Sequence, residues 1–303
     1  MDSARKIALT NKQDMCPVRD LNPQQSLRRR RIYPVNRTGH GLYYRHNDLN
    51  LQFRSPLNQS ISFTISAMNL LLLRTDQIKQ NVAIVSGRQF DQLSNVHRAE
   101  IGDSVRIGEI NGLMGTGIIM AINKQSATIQ VDLHSSPPTA LPLTLILALP
   151  RPKMLRRIIQ TIAAMGVKKL YLVNSHRVEK SFWQSPFLQP DALQEQLILG
   201  LEQARDTHMP EIIQRKLFKP FVEDELGEII TGTNALVAQP SSQSSCPVNS
   251  ADPISLAIGP EGGFIPYEIE KLNQIGFQSV HLGPRILRVE NAVPALISRL
   301  YPA

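Results

Sequence analysis

The sequence has few cysteines and no long apolar run, and these absences exclude several classes of protein. Its 303 residues include two cysteines, too few for the disulfide framework of a small secreted protein, so we expect a reducing compartment and a cytoplasmic location. No apolar run approaches the roughly 18 residues of a membrane span, and the best candidate, residues 141–149, is interrupted by Pro142 and Thr144. The first 25 residues lack the apolar stretch of a signal peptide. Membrane, collagen-like and secreted disulfide-rich classes are therefore excluded.

Several signatures of catalysis are also missing. Neither a Gly-x-Gly-x-x-Gly motif nor a phosphate-loop lysine follows a predicted strand, which argues against an α/β enzyme of another kind that uses a nucleotide. The sequence has no recognisable metal-ligand spacing and no Ser/His/Asp arrangement, so we predict no metal site. Cys246 stands in a Ser-rich segment and is a poor candidate for a nucleophile.

Positive charge is concentrated near the start of the chain. The whole sequence carries 33 Lys and Arg against 25 Asp and Glu, a net charge of +8, yet residues 1–67 alone account for +7 and contain the run Arg28–Arg31. Two interpretations fit this segment: an arm that binds nucleic acid, or a disordered tail or sequence upstream of the true start. We favour the second and expect residues 1–67 to be a basic, disordered extension.

Residues 68–140 have the pattern of a small β-barrel. The predicted strands lie near 69–73, 82–85, 104–108, 117–122 and 127–133. Asn111-Gly112 predicts a two-residue hairpin turn, because both residues accept a positive φ. The glycines at 112, 115 and 117 superficially suggest a phosphate loop, but neither Lys-Ser/Thr nor a helix follows, so we interpret them as hairpin glycines.

Residues 141–303 change to alternating strands and helices, which predicts a mostly parallel α/β sheet. The predicted strands lie at 143–149, 168–174, near 211, 235–238, 255–258 and 278–282. The predicted helices lie at about 152–165 and 191–204, after Pro266, and from about 289 to 300. Pro294 requires the last helix to start late or to bend, because proline lacks the N–H of a helix interior.

Two glycine-containing loops follow predicted strands of this sheet, Ile258-Gly-Pro-Glu-Gly-Gly263 and Leu282-Gly-Pro-Arg-Ile-Leu-Arg288. Ligands bind at the carboxyl ends of parallel strands, and glycines let them approach the backbone, so the loops predict two walls of one pocket. A tight structural turn explains the first loop equally well. In the second loop, Arg288 could meet a phosphate or a base with Glu290 orienting it, or the two could form an ordinary ion pair.

A local excess of positive charge lies in residues 151–180, which hold eight basic residues and one acid, Glu179. Lys153, Arg156 and Arg157 fall on the predicted helix face opposite the apolar stripe. The pattern is typical of a surface that tracks RNA phosphates, and also of a solvated helix face. Because acids are scarce, we favour RNA binding.

Together the two glycine motifs closely resemble the ribosomal RNA small subunit methyltransferase E family, SPOUT-class bacterial enzymes that methylate N3 of a uridine in 16S ribosomal RNA. Further segments match this family: Glu202-Gln203, Pro210-Glu-Ile212, Pro152-Lys-Met154, Met165-Gly-Val167, Val96-His-Arg98, Gly102-Asp103 and Asn111-Gly112. The resemblance covers about residues 68–303, and its paired Gly-Pro motifs are highly specific at this spacing.

The resemblance implies a fold and partners. Residues 141–303 would form a trefoil-knotted α/β domain, a parallel sheet with helices on both faces, after a PUA-like RNA-binding β-barrel at 68–140. First principles argue against a knot, because true knots are nearly absent among folds. The implied assembly is a homodimer that uses S-adenosyl-L-methionine and acts on 16S ribosomal RNA of the small ribosomal subunit, with no membrane and no metal.

The resemblance also assigns site residues by position. The cofactor-binding residues are Ile258, Gly259, Gly262, Leu282, Gly283, Ile286 and Leu287. For the chemistry itself, our hypothesis is that Arg288 and Glu290 are catalytic, with Glu290 as a candidate proton acceptor. With the basic residues added, the expected RNA-binding residues are Arg98, Lys153, Arg156, Arg157 and Arg285.

The chain departs from the family at several positions. The family usually has Arg-Thr-Glu-Thr-Ala where this sequence has Arg288-Val-Glu-Asn-Ala292, Gly-Arg where it has Arg205-Asp206, and Glu-Leu-Gly where it has Ala164-Met-Gly166. Because two hydroxyls are lost, a second hypothesis stays open: an RNA-binding or ribosome-assembly factor of the same fold that no longer methylates. The sequence leaves the methylated nucleotide and the proton acceptor open.

Overall fold

The computed structural model describes residues 70–302. The predicted basic extension, residues 1–67, lies outside the described residues. Two six-stranded sheets follow one another along the chain, and each has its own cluster of buried apolar side chains.

The first sheet pairs its strands in the order β1-β4-β5-β6-β3-β2. These strands are β1 (Leu71–Leu73), β2 (Ile78–Lys79), β3 (Val82–Ser86), β4 (Ser104–Glu109), β5 (Met114–Ile122) and β6 (Ser126–Ser135). β1 pairs with β4 in parallel, and the other neighbours pair antiparallel. A 3-10 turn (Thr75–Gln77) follows β1, whereas α1 (Gly87–Asp91) and a π turn (Gln92–Val96) connect β3 to β4.

β1 lies between the two cores because its side chains alternate. Leu71 and Leu73 belong to the core of the first sheet, while Leu70 and Leu72 pack into the core of the second. Alternate residues of a strand point to opposite faces, so this one short strand lets both apolar clusters share a boundary.

The turn between β4 and β5 corrects the prediction of a two-residue hairpin. The connection spans residues 110–113, and the Glu109 N–H donates to the Leu113 carbonyl oxygen at 2.9 Å. Asn111 takes the positive φ, 60°. Gly112 closes the turn by donating its N–H to the Glu109 carbonyl oxygen at 2.9 Å. The turn is longer because its residues bond to other segments: the Ile110 N–H donates to the Leu73 carbonyl oxygen at 2.9 Å, and the Asn111 N–H donates to the Thr207 carbonyl oxygen at 2.8 Å.

The second sheet is the predicted parallel α/β sheet, with strand order β12-β10-β11-β7-β8-β9 and every neighbour parallel. The strands are β7 (Leu143–Ala148), β8 (Lys169–Val173), β9 (Glu211–Arg215), β10 (Asn234–Ala238), β11 (Ile254–Ile258) and β12 (Gln278–Val280). Residues in the centre of the sheet are almost all apolar and buried, as expected for strands covered on both faces.

Helices alternate with these strands. They are α2 (Pro152–Ala164), α3 (Pro190–Ala204), α4 (Phe218–Pro220), α5 (Gly227–Ile229), α6 (Pro266–Gln274) and α7 (Val289–Leu300), with 3-10 turns at Lys180–Gln184 and Pro186–Leu188 and a π turn at Phe221–Leu226. In α2 the apolar residues recur at helical spacing, and Leu155, Ile158, Ile159 and Ile162 are all buried.

The last helix accommodates a proline. α7 begins at Val289 and contains Pro294 in its interior, which excludes the late start and leaves a bend as the predicted consequence of the proline. Pro294 cannot donate to the carbonyl of Glu290 four residues earlier. Packing of the helix compensates, since Val289, Val293, Leu296, Ile297 and Leu300 are all buried.

Candidate active site

Three neighbouring strands end at one cavity of about 350 Å³. The segments that follow β10, β11 and β12 line it, at residues 238–241, 258–264 and 280–287, together with Arg177 and residues of α7. These strands are adjacent in the sheet and parallel, so their carboxyl ends bring distant segments together. This is the place where open α/β sheets bind ligands.

The loop after β11 is both a tight turn and a wall of the cavity, so the two interpretations of its glycines are compatible. The Gly263 N–H donates to the Pro260 carbonyl oxygen at 2.7 Å. A Cβ placed on Gly259 would lie 2.8 Å from the Phe264 nitrogen, closer than any side chain tolerates. Gly259 therefore lets the loop close on itself, and Gly259, Gly262 and Gly263 all line the cavity.

The loop after β12 forms the facing wall. Gly283 has a φ of 118°, a conformation that favours glycine, and its N–H donates to His281 Nδ1 at 2.8 Å. Ile286 and Leu287 line the cavity, although 81% and 40% of their surfaces are exposed. The structure brings all seven residues predicted to bind the cofactor to this single cavity; their role as cofactor ligands stays a prediction.

Arg288 and Glu290 lie at the start of α7, on either side of Val289, which lines the cavity. Arg288 is exposed and Glu290 is half-buried. Within residues 70–302 the two side chains form no ion pair with each other, so that alternative for the pair is wrong. The predicted RNA-binding residue Arg285 lines the cavity itself.

The basic face of α2 is exposed as predicted. Lys153, Arg156 and Arg157 are all exposed, and the Arg156 guanidinium lies 5.1 Å from the centre of the Phe187 ring. Arg98 lies elsewhere, exposed just after the π turn of the first sheet. The RNA-binding role of these four residues stays a prediction.

Lys168 has a structural role that its place among the basic residues 151–180 did not indicate. Its Nζ lies 2.6 Å from Asp206 Oδ2 and donates to the His208 carbonyl oxygen at 2.7 Å. Asp206 is buried. A lysine held in this way is occupied by the protein and is not available to RNA.

The segment that contains Glu202 and Gln203 lies away from the cavity and holds the two sheets together. Arg88 of α1 donates to both carboxylate oxygens of the buried Glu202. The Thr207 hydroxyl donates to the Gly112 carbonyl oxygen at 2.6 Å, and the Met209 N–H donates to Asn111 Oδ1 at 2.8 Å. Residues 202–209 therefore bind the first sheet to the second.

Arg177 is a cavity residue that the sequence did not single out. It follows β8, and its guanidinium donates from Nη1 to the carbonyl oxygen of Gly262. The sequence placed it only among the basic residues 151–180. The one available signal was its position directly after a predicted strand.

Other chemistry is limited in the part of the chain that the structure describes. Burial raises the pKa of the Cys246 thiol, which disfavours the thiolate that a nucleophile requires. Between residues 70 and 302, no group of three or more His, Cys, Asp or Glu side chains is arranged to hold a metal ion. No helix in this range is long and apolar enough to cross a membrane.

Comparison with known proteins gives one consistent result. A family model of the RNA methyltransferase domain matches residues 137–301. Ribosomal RNA small subunit methyltransferase E of Treponema pallidum is 28% identical over 235 residues, covering 75% of this chain and 88% of that protein. The enzyme of the same name from a Synechocystis species is 24% identical over 252 residues, covering 81% of each.

Solved structures share the fold. A Legionella pneumophila protein in complex with the bound cofactor SAM superposes with a TM-score of 0.63 at 22% identity, covering 76% of this chain and 96% of that one. Ribosomal RNA small subunit methyltransferase E from Neisseria gonorrhoeae, bound to S-adenosyl methionine, gives 0.60 at 20% identity, covering 76% and 95%. The matched domain contains the whole second sheet and its cavity, and the chain belongs to the RNA methyltransferase family, among the ribosomal RNA small subunit methyltransferase E proteins.

Proposed function

We propose that this chain transfers a methyl group from S-adenosyl-L-methionine to N3 of a uridine in 16S ribosomal RNA of the small ribosomal subunit. The observation that carries the proposal is the cavity at the ends of β10, β11 and β12, with glycine backbone in two of its walls. The names of the relatives support the RNA substrate, and the cofactor-bound structures of the same fold support the methyl donor.

The cavity fits the cofactor in size and in chemistry. Its volume of about 350 Å³ lies within the range of small-molecule sites. Gly259, Gly262 and Gly283 line the cavity, and glycine lets a ligand approach the polar groups of the backbone closely. Leu282, Ile286 and Leu287 add apolar surface from the facing wall. S-adenosyl-L-methionine joins a flat adenine base to a polar amino-acid tail, so its site needs both apolar surface and polar backbone groups.

The chain's own residues would position the reacting base. When bound, S-adenosyl-L-methionine supplies an electrophilic methyl group on its sulfonium. Uracil N3 carries a proton that must leave as the nitrogen attacks, so negative charge develops on the ring. Arg288, exposed beside the cavity, steadies a base carbonyl or a phosphate as this charge grows, and Glu290 is the candidate proton acceptor. Alignment of the base with the methyl group supplies much of the rate.

We further propose that residues 141–303 are a trefoil-knotted SPOUT domain. β11 inserts between β10 and β7, and the chain then crosses to the edge strand β12. After β12 it returns, since α7 packs against α2, the helix that follows β7. This return of the chain across its earlier segments is the observation that supports a knot.

Residues 68–140 would form the PUA-like RNA-binding β-barrel. The antiparallel pairing of β3 to β6 around a separate core supports this assignment. Basic and acidic residues balance at six each between residues 70 and 140, so charge alone does not attract RNA to this sheet. The basic face of α2 supplies the attraction instead, through Lys153, Arg156 and Arg157.

The apolar mouth of the cavity supports a homodimer. Ile286 and Leu287 are exposed beside the predicted catalytic residues, and exposed apolar patches mark sites of association. We propose that a second copy of the chain covers them, and that the dimer acts in the cytoplasm on small ribosomal subunits.

Methyl transfer tests the proposed function. The full chain is incubated with methyl-labelled S-adenosyl-L-methionine and small ribosomal subunits that lack N3-methyluridine, and the digested RNA is mapped by mass spectrometry. We expect a single N3-methyluridine in 16S ribosomal RNA. If the chain binds the RNA but leaves it unlabelled, the chain is an RNA-binding or assembly factor.

A further inference from the structure

The segment after β8 reaches across the end of β7 to the loop after β11. β8 and β11 are not neighbours, because β7 lies between them in the sheet. The segment is anchored by the buried residues Ser175 and Val178 and by the Trp183 indole N–H, which donates to Asn174 Oδ1 at 2.9 Å. Between these anchors, Arg177 is exposed and lines the cavity.

Arg177 touches Gly262 in two ways. Its guanidinium Nη1 donates to the Gly262 carbonyl oxygen. Its aliphatic stem packs against the same glycine, since a Cβ placed on Gly262 would lie 2.8 Å from Arg177 Cδ. The stem fills the space that a side chain at position 262 would need.

The hydrogen bond from Arg177, together with one inside the loop, fixes the orientation of one peptide plane. The Gly262 carbonyl and the Gly263 N–H belong to the same peptide unit. The carbonyl accepts from Arg177, and the N–H donates to the Pro260 carbonyl oxygen at 2.7 Å. Both ends of the unit are therefore held, and its orientation is set by a residue 85 positions away along the chain.

Other contacts hold the loop on both sides of this peptide, whereas Arg177 holds the Gly262 carbonyl itself. The Arg151 N–H donates to Glu261 Oε1 at 3.0 Å. The buried Glu268 carboxylate accepts from the His176 N–H at 2.7 Å and from the Ile265 N–H at 2.9 Å. Glycine peptides have the most conformational freedom to lose, so the glycine pair 262–263 is the part of the loop that most needs an external partner.

We infer that Arg177 is a positioning residue of the cofactor site, which holds the Gly262–Gly263 peptide in the orientation that binds S-adenosyl-L-methionine. The inference rests on the proposed function, because it assumes that cofactor. Without the arginine, the loop samples other orientations, and the apparent affinity falls with the fraction of molecules in the binding conformation.

Calorimetric titration of S-adenosyl-L-methionine without RNA tests this role. We expect Arg177→Met, which keeps much of the stem and removes the donor, to raise the Kd about tenfold, since a hydrogen bond from a charged group contributes about 1.5 kcal/mol. Arg177→Lys keeps a donor on a similar stem and should restore part of the affinity. Arg74→Met is the matched control, because Arg74 is an exposed arginine paired with Asp76 in the first sheet, and it should leave the Kd unchanged.

A second variant reaches the same peptide from the other side. Gly262→Ala keeps Arg177 but pushes against its stem, so it should weaken cofactor binding, and its effect should be less than additive with Arg177→Met. Thermal unfolding of each variant confirms that it is folded. If Arg177→Met binds the cofactor as tightly as the unaltered chain, the inference is wrong, even if the KM for RNA rises, because Arg177 would then be an RNA contact. If the unaltered chain itself binds no cofactor, the proposed function fails instead.

Discussion

Arg88 and Glu202 are 114 positions apart in the sequence and form a two-point ion pair, with nitrogen–oxygen distances of 2.8 and 3.0 Å. Arg88 belongs to α1 beside the first sheet, and Glu202 is a buried residue near the end of α3. The hydrogen bond to Glu202 raises the pKa of Arg88 above its ordinary value. Because Glu202 is buried, its carboxylate is stabilised by Arg88 and little by water. The pair therefore joins the predicted RNA-binding sheet to the methyltransferase domain.

Removal of this arginine should destabilise the protein. In Arg88→Ala the buried Glu202 carboxylate keeps, among the partners within residues 70–302, only the Leu72 N–H at 3.4 Å. We expect a loss of about 1–3 kcal/mol in the free energy of unfolding, the cost of a buried polar group without its partner. The measurement is the urea midpoint. Arg74→Ala is the control, since its pair with Asp76 is exposed and should contribute about 0–1 kcal/mol. Equal losses in both variants would contradict a special role for Glu202.

A glycine in α3 sets the distance between α2 and α3. A Cβ on Gly200 would lie 2.4 Å from the Gln160 carbonyl oxygen and 2.8 Å from Ala163 Cβ. Gly200→Ala should therefore destabilise the protein by about 1–3 kcal/mol through overpacking. Gly227→Ala provides the contrast, because Gly227 is helical and faces open space, and it should be neutral or stabilising by up to about 1 kcal/mol. An unchanged urea midpoint for Gly200→Ala would show that the helices can separate at no cost.

Arg288 should matter for turnover and little for cofactor binding. It lies outside the lining of the cavity but next to Val289, which is part of it. We expect Arg288→Ala to lower the rate of methyl transfer by about 100-fold or more, as for loss of one group that stabilises developing charge. Cofactor affinity, measured by calorimetry, should stay near that of the unaltered chain. Turnover near the normal rate would remove Arg288 from the mechanism.

The basic face of α2 should set the salt dependence of RNA binding. Replacement of Lys153, Arg156 and Arg157 together by glutamine removes three exposed charges. If each meets a phosphate, the slope of log affinity against log salt should become shallower by about 2–3, at roughly 0.7–0.9 per contact. Filter binding to a 16S ribosomal RNA fragment over a range of salt measures this slope. The same slope in the variant would mean that these residues are only a solvated helix face.

The sequence predicted the parallel sheet and its two glycine loops because both leave local signals. Apolar runs alternate with amphipathic helices, and each Gly-Pro motif directly follows a strand. Carboxyl ends of parallel strands meet at one edge, which is why residues near 258 and 282 could be assigned to one pocket from sequence alone. The cavity in the structure has these segments as its walls.

Contacts between distant segments left no such signal. The Arg177–Gly262 contact depends on how far the segment after β8 reaches across the sheet. The Lys168–Asp206 pair depends on where the segment after α3 lies relative to β8. In the sequence, Arg177 and Lys168 look like ordinary members of the basic residues 151–180. The last helix was predicted at the right place, but the sequence did not show that burial of its apolar face would outweigh the hydrogen bond missing at Pro294.

A cofactor site in the cavity between the loops after β11 and β12 must bind S-adenosyl-L-methionine. Calorimetric titration of S-adenosyl-L-methionine into the full chain and into Gly259→Val measures this binding. The valine side chain would collide with the Phe264 nitrogen and displace the loop after β11, which forms one wall of the cavity. We predict saturable binding with one cofactor per cavity in the unaltered chain and loss of that binding in Gly259→Val, with both proteins folded by circular dichroism. Absence of binding to the unaltered chain, or equal affinity in the two proteins, would mean that this cavity is not the cofactor site.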